Sequence, residues 1–212
     1  MTRTPYRKAD EAAAKITSKI HREFRHNRLA LFDEMNIIQT KKHVHKLYKT
    51  IFKTVKQEFL KIINEIYQTI YDEAIDMGFD GDIRNLDEAW IEEFFDGYNP
   101  VTKYVFSNEI DRKESRLFEA LVSNELERLK SYAYAERLIV SQIEQYAIDL
   151  EDSIAKVVYE DTGVKKVMWV AEKDDRTCGV CGELDGQIFA LGDAPPKQHH
   201  NCRCVLRPVK SE

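Results

Sequence analysis

Between Val44 and Ile70, apolar residues recur at steps of three and four: Val44, Tyr48, Ile51, Val55, Phe59, Ile62, Ile66 and Ile70. That spacing places all eight on one face of an α-helix and is incompatible with the period of two that a half-buried strand requires. The simplest meaning of such a stripe is helix–helix packing. A straight helix of about 37 residues is therefore expected, ending at Gly78, because glycine takes the left-handed conformation of a helix stop cheaply. With only 8 glycines and 5 prolines in 212 residues, the rest of the chain is also expected to favour long helices over frequent turns.

The flanking segments follow the same logic. Residues 1–10 read as a loose arm, with Pro5 or Asp10 able to start a first helix. Ala12, Ala13, Ile16, Ile20 and Phe24 form its apolar stripe, and a break is expected near Asn36 to Thr40. Gly81 to Asn85 reads as a turn, followed by a short helix from Leu86 to Asp96 with Asn85 as N-cap. Gly97-Tyr98-Asn99-Pro100 is a loop by its chemistry. Two or three further helices are expected over 103–159. One stripe runs through Leu117, Leu121, Leu126 and Leu129, the other through Leu138, Ile143, Tyr146, Leu150, Ile154 and Val157. After Gly163 the pattern changes to short runs of strand length: Val164 to Val170, Ile188 to Leu191, and Val205-Leu206. The expectation is an α+β chain of mainly long α-helices with a small C-terminal zinc-stabilised β module. Its parts are a long basic helical hairpin or arm (1–80), an acidic helical domain (81–163) and a Cys/His module (164–212).

The formal net charge of −5 conceals a division along the chain. Residues 1–56 carry 14 Lys/Arg against 5 Asp/Glu, residues 57–163 carry 10 against 25, and residues 164–212 carry 8 against 7. A basic end of this kind faces either nucleic acid or the acidic middle of its own or a neighbouring chain. The candidate phosphate-contacting residues are Lys15, Lys19, Arg22, Arg25, Arg28, Lys41, Lys42, Lys46, Lys49 and Lys53. No base-reading motif accompanies them, so any contact with double-stranded DNA is expected to be nonspecific and salt-sensitive. No stretch approaches the roughly 20 apolar residues of a membrane span. Met1 to Asp10 has no apolar signal-peptide core, and folding in a reducing cytoplasm is expected.

All four cysteines lie between residues 178 and 204. In a reducing compartment such a cluster reads as a metal site before it reads as disulfides. Cys178 and Cys181 form a Cys-x-x-Cys-Gly turn, and His199, Cys202 and Cys204 follow about twenty residues later. In a strand, Cys202 and Cys204 share a face. Five good donors thus compete for the four places around a tetrahedral zinc, with His200 a weaker sixth. A segment of 49 residues buries too little surface to hold itself without a cross-link, and a structural metal supplies one. Metal-free thiols and disulfides are the alternatives. A catalytic zinc needs an open position and a base, for which Glu183 and Asp185 are the neighbours. The run His199-His200-Asn201 suits a metal-dependent nuclease, but no second nuclease motif accompanies it.

These residues occur in an ordered set. Thr162-Gly163-Val164-Lys165-Lys166-Val167-Met168-Trp169-Val170 leads to Asp175-Arg176-Thr177-Cys178-x-x-Cys181, then Leu184-Asp185-Gly186, Pro195-Pro196, His199-x-x-Cys202-Arg203-Cys204 and Pro208. The set resembles the C-terminal domain of phage Mu F-like minor head proteins, also called head-morphogenesis or minor capsid proteins. Tyr134-Ala135-Glu136-Arg137-Leu138-Ile139 resembles the family's arginine-bearing helix, so the resemblance covers roughly residues 130–209. Two departures stand out: Ser141-Gln142 replaces the family's Thr-Glu pair, with Glu144 two residues on, and His200 stands where proline is common. The resemblance implies a non-enzymatic virion component, present in few copies inside the head. Such a protein associates with the portal protein, and with capsid or scaffold, during assembly in the host cytoplasm, and accompanies DNA at ejection.

Overall fold

The computed structural model describes residues 4–32, 36–99, 103–123, 127–172, 175 and 177–210. Helix α1 (Thr4–Phe32) leads to α2 (Ile37–Leu60), α3 (Ile63–Asp76) and α4 (Glu88–Asp96). A two-stranded hairpin, β1 (Tyr98–Asn99) and β2 (Tyr104–Val105), precedes α5 (Phe106–Ser123) and α6 (Arg128–Asp161). The C-terminal part holds β3 (Lys166–Val170), α7 (Gly179–Leu184), β4 (Ile188–Ala190), a 3-10 turn (Leu191–Asp193) and β5 (Val205–Val209). The three strands form an antiparallel sheet in the order β4-β3-β5. Because β5 is an edge strand, Pro208 costs no ladder bond on its free side. The chain is thus mostly helical with a small C-terminal sheet. Among the described residues no helix is long and apolar enough to cross a membrane.

The stripes bury as their spacing requires, with instructive shifts. Val44, Tyr48, Ile51, Val55, Phe59, Ile66 and Ile70 are all in the core. The expected straight helix, however, breaks at Lys61–Ile62, where the Ile62 N–H reaches back only three residues, to the Phe59 carbonyl (3.0 Å). At this break Ile63 is buried and Ile62 only half-buried, and the stripe resumes at Ile66 and Ile70. Gly78 does close α3, at φ +81.

Other boundaries also shift. Residues from Thr4 onward are helical, so only residues 1–3 of the expected arm lie outside the described residues. Asp87, rather than Asn85, caps α4 by accepting from the Trp90 amide (3.0 Å). Leu86 is drawn into the core because the Asn64 amide brackets its backbone, accepting from its N–H (2.7 Å) and donating to its carbonyl (2.9 Å). Within the expected loop at 97–100, Tyr98 and Asn99 pair as β1, while Pro100 lies outside the described residues. Leu117 and Leu121 are buried, Leu126 is outside the described residues, and Leu129, on α6, is 53% exposed. On α6, Ile143, Tyr146, Leu150 and Ile154 are buried as expected, while Ile139 and Val158 are buried in place of their neighbours Leu138 and Val157.

One buried apolar cluster runs from Ala9 to Val167 and draws on helices α1 to α6. Within it α1 packs on both α2 and α6. Two buried carboxylates sit at these contacts. Glu58 on α2, 3% exposed, receives Lys19 (2.7 Å) and Lys15 (3.1 Å) from α1 and Lys61 (2.5 Å) from its own chain end. Hydrogen bonds from Lys19 and Lys61 pull its carboxyl down to about 2. Glu151 on α6, 1% exposed, accepts the Ala9 amide (3.2 Å), and burial pushes its carboxyl up to about 9.

Gly81 allows the α3–α4 loop to touch the end of α6. A Cβ there would lie 2.0 Å from the Asp161 carbonyl oxygen, well inside contact distance.

Candidate metal centre

The sheet and α7 bring the cysteines together. The segment Cys178–Cys181, read from sequence as a turn, begins the short helix α7, with Cys178 as its N-cap. Its sulfur accepts from the Cys181 amide (3.4 Å), which lowers the Cys178 thiol below the ordinary thiol range. At an i, i+3 spacing the two side chains share one helix face. The end of α7 is tied to β3: Asp185 accepts the Ala171 amide (2.9 Å), and the Gly186 amide donates to the Trp169 carbonyl (2.8 Å). Asp185 is therefore engaged in holding backbone. Cys202 and Cys204 lie in the loop before β5 and not in a paired strand, yet both are buried. The pairing of Val205 with Val170 and of Leu206 with Trp169 fixes where Cys204 enters. Trp169, Ala171, Cys181, Cys202 and Cys204 form a second buried cluster, apart from the helical core. Arg176 lies outside the described residues.

Two triads of donor atoms lie within 4.8 Å of one another: Cys178, Cys181 and His199, and Cys181, Cys202 and Cys204. Cys181 belongs to both. Its sulfur is 3.6 Å from Cys202 Sγ and 3.5 Å from His199 Nε2. A tetrahedral ion with Zn–S of about 2.3 Å and Zn–N of about 2.0–2.1 Å has S–S edges of about 3.8 Å and S–N edges of about 3.5 Å. The two edges seen here agree with these, and sulfur and imidazole are the donors such an ion takes, so the residues fit a tetrahedral metal ion. The cysteines are free, and 3.6 Å is far beyond an S–S bond of about 2.05 Å. Burial raises the thiols of Cys181 and Cys204, so without a cation to stabilise thiolate they hold their protons.

The two histidines take different roles. His199 Nδ1 lies 2.9 Å from the His200 carbonyl. A donor N–H there fixes the tautomer that leaves Nε2 free to bind a cation, as metal-ligating histidines ordinarily do. His200 Nε2 instead lies 2.9 Å from Ser141 Oγ on α6. The sequence ranks His199 above His200 as a donor, and what each ring meets across the fold agrees with that order.

The ten basic candidates also divide. Lys15 and Lys19 pair with Glu58, and the Lys15 side chain stays largely exposed. Arg22, Arg25 and Arg28 on α1 and Lys41, Lys42, Lys46, Lys49 and Lys53 on α2 are exposed. Lys41 lies 6.0 Å from the Phe118 ring centroid.

Residues 110–207 match the family model described as phage Mu protein F like protein. A curated relative from Haemophilus influenzae (strain ATCC 51907 / DSM 11121 / KW20 / Rd), described as an uncharacterized protein, is 28% identical over 120 residues. The alignment covers 51% of this chain and 27% of the relative, so the chain spans about a quarter of that protein's length. No solved structure matches the chain.

Proposed function

We propose, for a chain that is Mu F-like over residues 110–207, that it is a minor head protein of a tailed phage, acting in head morphogenesis as a non-enzymatic part. In this reading it associates with the portal protein on the inside of the head after assembly in the host cytoplasm. Cys181, His199 and Cys202, with Cys178 or Cys204, hold a structural zinc. When bound, that ion supplies a cross-link between α7 and the loop before β5, and no reaction is assigned to it.

The observation that carries the reading is the convergence of Cys178, Cys181, His199, Cys202 and Cys204 inside the Mu F-like segment. The support is chemical: a closed thiolate and imidazole set suits a structural site, whereas a catalytic one keeps an open position beside a base. The test is quantitative mass spectrometry of assembled heads against portal-deficient heads. The chain is expected in a few copies per head, and in far fewer when the portal is missing. Its absence from complete heads, or equal amounts in both, would overturn the assignment.

A second contact, with packaged DNA, is favoured by the exposed face of α2. Lys42, Lys46, Lys49 and Lys53 recur at steps of four, three and four, so they share one helix face. Among the described residues these four, with Arg22, Arg25 and Arg28, form no ion pair, so their charge is available to phosphate. Binding to double-stranded DNA is expected to weaken steeply with salt, by a slope of about −0.9 in log K per log salt for each phosphate neutralised. Changing Lys42, Lys46, Lys49 and Lys53 together to glutamine should flatten that slope by about 3 to 4. Gel shifts across a salt series measure it. An unchanged slope would remove this face from the reading.

A further inference from the structure

The turn that carries His199 and Cys202 is not held by its own module alone. Gln145, on the buried face of α6 and 0% exposed, accepts from the Asn201 amide with its Oε1 (2.5 Å) and donates to Asp149 Oδ1 with its Nε2 (2.9 Å). One helical turn earlier, Ser141 Oγ meets His200 Nε2 (2.9 Å). Ser141 and Gln145 are four residues apart, so they present one face to the turn. Asn201 sits at φ +57, a left-handed conformation that a side-chain-bearing residue adopts at a cost. The turn is closed by the Cys202 amide donating to the His199 carbonyl (3.2 Å). This reversal aims both His199 Nε2 and Cys202 Sγ at Cys181.

We propose that Gln145 is a positioning residue for the metal centre, with Ser141 as its auxiliary: α6 holds the 199–202 turn in the conformation that presents two of the ligands. The inference rests on the reading of the Cys/His cluster as a metal site, and goes beyond it. Affinity for the ion then belongs to the helical body and the module together, not to the module alone. The physical reason is that the Asn201 amide needs an acceptor in the left-handed turn, and a fully buried glutamine with its other end committed to Asp149 offers a fixed one. His200 takes part as a docking side chain, which gives the departure at that position a structural role.

The test compares the full-length chain with its Gln145→Met, Gln145→Asn, Gln145→Glu and Ser141→Ala variants. Zinc affinity is read by competition with a chromophoric chelator, and the melting of helical circular dichroism is followed alongside. Methionine keeps the length but offers no acceptor, and zinc binding should weaken by about 10- to 100-fold, the usual cost of losing an outer hydrogen-bond partner. Asparagine is too short to reach Asn201 and should behave the same way, which covers the case in which the methionine variant fails to fold. Glutamate keeps the acceptor oxygen but loses the donor to Asp149 and sets a buried carboxyl against it, so it too should bind zinc more weakly than the parent. Ser141→Ala should give a smaller loss. Folded methionine or asparagine variants with parental affinity would overturn the proposal. If the parent chain itself takes up no zinc, the metal reading fails first and this inference goes with it.

Discussion

Cys181→Ser is expected to release the metal ion and loosen the whole C-terminal module while leaving the helical body folded. Cys181 is the donor common to both triads, so its loss breaks the cluster in two rather than trimming one corner. In small zinc peptides a structural ion contributes an apparent 10–16 kcal/mol, roughly, near neutral pH. The module here has only a three-stranded sheet, a six-residue helix and a satellite cluster built around Trp169 and the cysteines themselves. A cluster that small cannot replace the lost cross-link. Amide hydrogen exchange should therefore rise over β3 and β5, and Trp169 emission should shift towards that of exposed indole. Metal content by native mass spectrometry should fall from one ion per chain to none, and a strong chelator should do the same to the parent protein. The helical core draws mainly on α1 to α6, so protection of α1 and α2 should change little. Retention of a stoichiometric ion in the serine variant, or full protection of β3 and β5 without one, would sink the metal reading.

The second large effect concerns pH. Glu151→Gln should raise stability above neutral pH and leave it unchanged near pH 4. With its carboxyl pushed up from 4.5 to about 9 by burial between α1 and α6, Glu151 keeps a proton in the folded state that the unfolded chain has already released. Stability from this group is complete below pH 4.5 and is lost as pH rises towards 9. Between pH 4.5 and 7 the loss is on the order of 3 kcal/mol, at about 1.4 kcal/mol per pH unit. Glutamine keeps an acceptor for the Ala9 amide and cannot ionise, so the difference between variant and parent should grow steadily across that window. Glu58 acts in the opposite sense. Its lowered carboxyl contributes stability present above pH 4.5 and lost as pH falls towards 2, so the parent's own profile is the sum of both. The comparison of variant with parent isolates Glu151. Urea unfolding at several pH values measures it, and parallel profiles for the two proteins would show that Glu151 is not held neutral.

The residues that sequence reasoning read well are those whose signal is local. The stripe Val44, Tyr48, Ile51, Val55, Phe59 is buried because a helix repeats every 3.6 residues whatever it packs against. Spacing likewise marked Cys178, Cys181, His199, Cys202 and Cys204 as one donor set, since few other arrangements use thiols and imidazole at those intervals. Local rules failed where a distant residue decides. The use of Leu86 as core follows from Asn64 on α3, which holds its backbone from 22 residues away. Lys15 and Lys19 looked like free cations because nothing near them in sequence reveals Glu58.

The amino-acid sequence by itself thus determined the helical character of the body, the change to short strands after Gly163, and which five sulfur- and nitrogen-bearing side chains could gather as a metal-holding group. These depend on periodicity and on side-chain chemistry, which are properties of neighbouring residues. Only the tertiary structure decided that His199 faces Cys181 while His200 turns to Ser141, that Cys181 joins the two triads, and that Gln145 of α6 holds the turn between them. Each of those is a contact between segments 18 to 59 residues apart in the chain, and such contacts are fixed by packing across the fold.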